Sequence, residues 1–214
     1  MKFGLILFFS IVLSSINAQA ITPDDSFTFE LGLPNATNNK AYRSIMQGLV
    51  CISPSYQYAL KNGISFGIGL HYSYFAINEF RVQPKIFGGI HSAAAFLKLG
   101  HEKFWTERFG TEIGCKIGYL NSFAKSDLIK NYRRTEATFV EPFISFIATS
   151  SVNSAYRFTI GFPFYGFNFT PETIGILDSN LGYTNTDFSK ISSAFTISFG
   201  YTFYFNGKKN TDED

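Results

Sequence analysis

Residues 195 to 205 alternate between large apolar and small or polar side chains, and this pattern constrains the fold more than any other stretch. A β-strand points successive side chains to opposite faces. One face would carry Phe195, Ile197, Phe199, Tyr201, Phe203 and Phe205, and the other Thr196, Ser198, Gly200, Thr202 and Tyr204. Such a broad apolar face is typical of a strand that contacts lipid in a membrane β-barrel.

The first 20 residues have the features of a secretory signal peptide. Lys2 supplies the positive charge, residues 5–12 are apolar apart from Ser10, and Ala18-Gln19-Ala20 is a small-residue cleavage site. We predict cleavage after Ala20, with Ala18 as the second choice. The remaining chain has the length of one domain.

The composition favours a chain that hides its aromatic rings against lipid. The sequence contains 26 Phe and 12 Tyr, whereas charged residues make up only 16%. A small soluble domain has little interior in which to bury so many rings. No later stretch approaches the ~18 consecutive apolar residues of a transmembrane helix. The net charge of +2, without a clustered basic face, argues against nucleic acid as a partner.

Period-2 alternation recurs along the chain and predicts eight strands. These are Asp25–Leu33, Gly48–Leu60, Ile64–Ile77, Lys85–Leu99, Phe109–Leu120, Thr138–Thr149, Ala155–Phe167 and Phe195–Phe205. Asn62-Gly63 fits a tight hairpin between the second and third strands, because both residues accept positive φ angles. The sequence therefore predicts an all-β fold, an eight-stranded antiparallel up-and-down transmembrane barrel over residues 21–205, followed by a polar periplasmic tail over residues 206–214.

The predicted connections alternate in length for five of the seven links, as membrane barrels show with short periplasmic turns and longer outside loops. Residues 34–47, 121–137 and 168–190 should project outward together. The link at residues 78–84 is short for an outside loop. The link at 99–108 is long for a periplasmic turn, and its Phe104 and Trp105 are expected at a membrane interface.

Strand parity sends a set of polar side chains into the barrel. The predicted inward residues are Glu30, Gln57, His71, His91, Glu112, Lys116, Glu141 and Arg157. Ionised groups leave water at acceptable cost only when they pair, so we interpret the set as a hydrogen-bonded plug. Two alternatives stay open: a proton-responsive or ligand-binding interior built on His71 and His91, and a narrow pore.

A basic cluster follows the fifth strand. It consists of Lys125, Lys130, Arg133 and Arg134. Its placement on an outside loop predicts contact with the anionic sugars and phosphates of lipopolysaccharide, and the alternative is a solvated loop.

Motifs for catalysis and metal binding are weak. His91 and Ser92 are adjacent, so a strand would turn them to opposite faces and His91 could not serve Ser92 as its base. The three histidines lack the close spacing of a metal site, and we predict no metal and no cofactor. Cys51 and Cys115 fall on different strand faces, which favours two unpaired thiols over a disulfide.

The chain resembles small outer-membrane β-barrel proteins of the type widespread in Bacteroidetes. The leader ending Asn17-Ala18-Gln19-Ala20, the glycine-punctuated strand Phe109–Tyr119 and the aromatic last strand carry the likeness, which covers the mature chain as a pattern. The resemblance implies a bacterial outer-membrane location and insertion by the barrel-insertion machinery. Family barrels usually end at an aromatic residue, whereas Phe205 is followed here by nine polar or small residues.

The function expected from these features is non-enzymatic. We predict an integral outer-membrane barrel, a monomer, with an envelope-structural or surface-binding role through its extracellular loops. The main alternative is a narrow transport or ligand conduit for a small or apolar molecule. A lipid A-modifying enzyme and a secreted lipocalin-like binder are further alternatives.

Overall fold

The computed structural model describes residues 21–82, 85–176, 185–205 and 209–210. Its strands are β1 (Ile21–Thr22), β2 (Ser26–Ala36), β3 (Met46–Ala59), β4 (Ile64–Ile77), β5 (Gly88–Phe104), β6 (Phe109–Ser126), β7 (Arg133–Ser151), β8 (Ser154–Gly161), β9 (Ala194–Tyr204) and β10 (Lys209–Asn210). Two short helices, α1 (Lys40–Ile45) and α2 (Asn185–Phe188), and a 3-10 turn (Pro171–Ile174) lie in the connections. The predicted leader and most of the predicted polar tail lie outside the described residues.

Strands β2 to β9 close into one barrel, confirming the predicted eight-stranded antiparallel fold. Each strand pairs with its neighbour in sequence, and β9 returns to pair with β2 over eleven positions, from Ser26–Tyr204 to Ala36–Ala194. The short strands β1 and β10 pair with each other outside the barrel.

Side chains partition across the barrel wall with the period of the strands. Burial alternates at every position of β2, where polar Thr28 and Glu30 are buried and Phe27 and Phe29 are exposed. The last strand behaves in the same way, and Phe199 is 68% exposed while Thr202 is fully buried. The outer wall is therefore apolar, and polar side chains fill much of the interior.

Two predicted connections, at residues 78–84 and 99–108, did not fit the alternation of long and short links. Their predicted boundaries were wrong. Strand β5 runs from Gly88 to Phe104, so the link before it is lengthened to residues 78–87 and the link after it shrinks to residues 105–108. The predicted strand ended at Leu99, but backbone pairing with β6 continues to the Phe104–Gly110 pair. Phe104 is consequently buried, and Trp105 is exposed in the turn.

Strands β6 and β7 are also longer than predicted, and they reduce the expected loop at 121–137 to residues 127–132. Strand β8 is shorter than predicted and stops at Gly161, two residues before Pro163. Proline has no backbone N–H to continue a ladder. Just beyond Pro163 the regular ladder is replaced by isolated bridges, in which Phe164 pairs with Val140 and Ser193.

An apolar cap fills the end of the barrel where the longer connections lie. Helix α1 contributes Tyr42 and Ile45, and residues 162–176 contribute Tyr165, Phe167 and Phe169, all buried. Gly166 lets this segment turn inward, since its φ is +66° and a Cβ there would lie 2.4 Å from the Thr138 carbonyl oxygen.

Asn39 fastens the cap to the barrel rim. Its side-chain oxygen accepts from the Tyr42 backbone N–H at 2.9 Å and begins α1. Its Nδ2 donates to the carbonyl oxygens of Phe169 and Lys190, both at 3.0 Å. A second, smaller apolar cluster of Phe104, Ile147, Ala155 and Tyr204 closes the opposite end. No helix among the described residues is long and apolar enough to cross a membrane.

Candidate functional site

A charged network occupies the barrel interior between the cap and the short turns. At the end of the network nearer the short turns, which we call its lower end, the Arg157 guanidinium pairs with Glu102 at 2.6 Å and also with Glu112. Lys98 pairs with Glu112 at 2.8 Å, and its Nζ donates to Gln57 Oε1 at 2.7 Å. All five side chains are buried, so strands β3, β5, β6 and β8 are joined across the lumen.

A second group lies nearer the cap and centres on Lys116. Its ammonium lies 3.4 Å from Glu30 and 3.3 Å from Glu141. Thr159 donates a hydroxyl hydrogen bond to Glu30. His71 Nδ1 lies 3.8 Å from Glu141, and His71 Nε2 has no hydrogen-bond partner among the described residues.

Pairing explains how these charges are tolerated. Among the described residues, the ion pairs of this network join three cations, Lys98, Lys116 and Arg157, to four carboxylates, Glu30, Glu102, Glu112 and Glu141. Removing an ion from water costs several kcal/mol unless a partner and hydrogen bonds replace the solvent. Neutral donors complete the set, because the Tyr204 hydroxyl donates to Glu102 at 2.8 Å and Ser65 donates to Glu112 at 3.3 Å. The network therefore cross-links the barrel and fills its lower lumen.

Seven of the eight residues predicted to face inward lie in the interior. They are Glu30, Gln57, His71, Glu112, Lys116, Glu141 and Arg157, and each is buried. The structure brings them together with Lys98 and Glu102, which the sequence reasoning did not include.

The prediction for His91 is wrong. Its ring stacks on Tyr74 on the outer wall, with centroids 4.5 Å apart, and its Nδ1 lies 2.8 Å from the Tyr72 hydroxyl. Ile90 and Phe96 lie on the opposite side of this strand from His91, and both pack inward in the cap cluster. Lys98 and Glu102 share their parity, and two charged residues on one side of a strand could have indicated that this side faces inward.

The two pairs set aside in the sequence analysis, His91 with Ser92 and Cys51 with Cys115, are separated by the barrel wall. Ser92 is buried and lies 3.0 Å from Ser122, on the opposite side of the strand from His91. Cys51 is buried with its Sγ 3.9 Å from His71 Nδ1, whereas Cys115 is half-buried, and both thiols are free. No group of three or more potential metal-ligating side chains comes together in the part of the chain that is described.

The basic cluster lies at the same end as the cap, but mostly on strands and not on a loop. Lys125 is the next-to-last residue of β6, and its Nζ lies 4.8 Å from the centre of the Tyr132 ring. Arg133 donates to the Glu172 carbonyl oxygen, and Arg134 donates from Nε to Asn121 Oδ1 at 2.9 Å. Lys130 alone lies in the connecting residues 127–132, and it is exposed.

Comparison with solved structures places this architecture in a known fold. Neisserial surface protein A has a TM-score of 0.57 to this chain at 11% sequence identity, with 85% of this chain and 97% of that one covered. The outer membrane protein OprG from Pseudomonas aeruginosa has a TM-score of 0.50 at 9% identity, covering 88% of this chain and 99% of its own. The fold is that of a small outer-membrane β-barrel.

No protein-family model matches the sequence of this barrel, and no curated protein matches it. At such low identities the shared fold does not carry over a ligand or an activity. The resemblance to Bacteroidetes barrels therefore stays a prediction.

Proposed function

We propose that this chain is an integral, non-enzymatic protein of the bacterial outer membrane, with an envelope-structural or surface-binding role. The proposal rests on the distribution of polar and apolar side chains, which is the reverse of that in a soluble protein. Charged groups are buried and paired inside, while large apolar side chains such as Leu33, Leu97 and Phe199 are about two-thirds exposed outside. Water would penalise such a surface, and a bilayer would accommodate it.

Aromatic side chains near both ends of the outer wall support a membrane location. Tyr72 and Tyr74 lie toward the cap end, and Trp105 lies in a turn at the other end. The Lys103 ammonium lies 4.3 Å from the centre of the Trp105 ring. Amphipathic rings and lysines of this kind favour the interface between hydrocarbon and headgroups.

The surface role rests on the basic cluster at the cap end. Lys125, Lys130 and Arg134 are exposed there, and this is the end whose connections are longer. Membrane barrels place longer connections on the extracellular side, where lipopolysaccharide supplies phosphate groups. We propose lipopolysaccharide as the contacting partner, together with a cleaved leader, insertion by the barrel-insertion machinery, a Bacteroidetes-type origin and a monomeric state.

Two features support a non-enzymatic role over the alternatives. The interior carboxylates are engaged by buried cations, which leaves them poorly placed to act as a general acid or base on a substrate. The cap and the network also occupy successive levels of the lumen, which disfavours a conduit.

The membrane assignment is tested by gel mobility and fractionation. We expect the detergent-purified protein to migrate differently before and after boiling, and to stay in the outer-membrane pellet after a carbonate wash. A protein that is soluble without detergent and shows no mobility shift would contradict the proposal and favour a secreted β-structure.

A further inference from the structure

Two small residues interrupt the apolar outer wall on β5. Ala93 and Ala95 occupy successive outward positions, and both are exposed. Ala95 lies between Leu70 of β4 and Tyr119 of β6, while Ala93 lies between Tyr72 and Asn121. Because the flanking side chains are larger, the two alanines form the floor of a trough, which we call the β5 groove.

The β5 groove extends along the wall from the hydrocarbon zone toward the cap end. It consists of two adjoining depressions of about 590 and 550 Å³ that share Leu70, Ala95 and Tyr119. Its lower end is apolar and includes Leu97 and Ile117. Its upper end includes Asn121, Phe123 and Arg134, so its character changes from apolar to cationic along its length.

The arginine at the upper end is held in place before any ligand arrives. Its Nε donates to Asn121 at 2.9 Å, its guanidinium lies 5.9 Å from the Phe123 ring centre, and its Nη2 pairs with Glu136 at 2.6 Å. The Arg134 and Glu136 side chains are each more than half exposed, so this pair is a weak one that a phosphate could replace. Lys125 lies two residues beyond Phe123 on the same strand and adds a second cation.

We propose that the β5 groove binds the lipid A part of lipopolysaccharide, with one acyl chain along Ala93 and Ala95 and one phosphate at Arg134 and Lys125. The apolar length matches a chain, and the cationic end matches a phosphate, which arginine binds through two parallel hydrogen bonds. Lipid A is favoured over a phospholipid because the groove opens toward the end assigned above to the cell surface. The inference rests on that proposed orientation and deepens the proposed surface role.

The groove is tested by filling it. Ala95→Leu places a larger side chain on its floor without adding charge, and Ala148→Leu makes the same change on the exposed outer side of β7, away from the groove. We expect Ala95→Leu to lower lipid A retention in native mass spectrometry roughly tenfold, equivalent to about 1.4 kcal/mol. Ala148→Leu should retain lipid A as the unmodified protein does. Equal retention by both variants would overturn the acyl-chain site.

The phosphate contact is tested with a second variant and three added lipids. Arg134→Gln should lower retention of lipid A roughly tenfold, because a hydrogen bond to a charged group is lost. The same variant should not change retention of dephosphorylated lipid A. Phosphatidylglycerol retained as strongly as lipid A by the unmodified protein would overturn the choice of lipid A.

The gel-mobility shift of each variant separates this inference from the proposed membrane role. A shift on boiling shows that the barrel has formed, so a folded Ala95→Leu variant with full lipid A retention would refute the groove alone. Failure of the unmodified protein to shift would instead refute the membrane assignment.

Discussion

Arg157 shows how much of the interior depends on a single side chain. Its guanidinium pairs with two buried carboxylates, Glu102 and Glu112, and its Nε donates to Thr202 Oγ1 at 2.7 Å. The five N–H donors of arginine have a fixed planar geometry that suits several acceptors at once. No neighbouring lysine could replace that geometry.

Replacing Arg157 by Met should destabilise the barrel by about 3–5 kcal/mol, because buried Glu102 loses its cationic partner and Glu112 is left with Lys98. Unfolding by urea in lipid vesicles measures the loss. Arg43→Met is the matched control, since Arg43 is exposed on α1, and we expect little change there.

The explanation of the Arg157 effect by uncompensated charge can be tested at its carboxylate partner. Neutralising Glu102 in the variant, with Glu102→Gln, should recover part of the lost stability, while Glu112 stays paired with Lys98. Equal instability with and without the glutamine would show that lost packing, and not uncompensated charge, is the cause.

At the scale of elements, the cap depends on its attachment at Asn39. This one side chain begins α1 and also holds two backbone carbonyls of the long connection between β8 and β9. Segments far apart in sequence are thus joined by a side chain that is fully buried.

Asn39→Ala should loosen the cap while leaving the barrel closed. Loss of an N-cap costs about 1 kcal/mol, and the two further hydrogen bonds add to it, so backbone amides of residues 165–169 should exchange roughly tenfold faster or more. Hydrogen exchange by mass spectrometry checks this. Asn168→Ala is the control, because Asn168 is exposed and its Nδ2 makes a long, 3.4 Å hydrogen bond to the Ser189 carbonyl oxygen.

Strands whose two faces differ could be predicted from the sequence, and strands whose faces change character could not. The faces of β9 differ clearly, because Phe199 and Phe203 point outward while Ser198 and Thr202 point inward. The inner face of β5 changes from Ile90 in the cap to Lys98 in the network, so hydropathy alone did not identify its lumen side. The error reversed one strand, misplaced His91 and missed Lys98 and Glu102.

The cap itself could not be predicted, since its parts meet only in three dimensions. Tyr42 packs 5.0 Å from Phe75 and 5.5 Å from Phe169, measured between ring centres, and these rings come from three separate elements. In the sequence each one belongs to a strand or to a connection of unassigned structure.

For the whole molecule, the cap and the network together predict a closed barrel. In planar bilayers the unmodified protein should show no discrete conductance steps, because an eight-stranded barrel leaves room for little beyond its own side chains. The double variant Tyr42→Ala, Phe169→Ala should also remain closed, since the network lies beneath the cap. Reproducible steps from the unmodified protein would contradict this and favour the conduit alternative.

The cap also lies over the joint where the first and last barrel strands meet. Thr37 donates its backbone N–H to the Ser193 carbonyl oxygen at 2.9 Å, just above the β2–β9 ladder, and Asn39 reaches Lys190 beside it. These contacts join residues that are more than 140 positions apart, and we expect them to form late during folding because closing so long a loop is entropically costly. The cap would then form after the barrel has closed in the membrane. Once formed, it would slow the separation of β2 from β9.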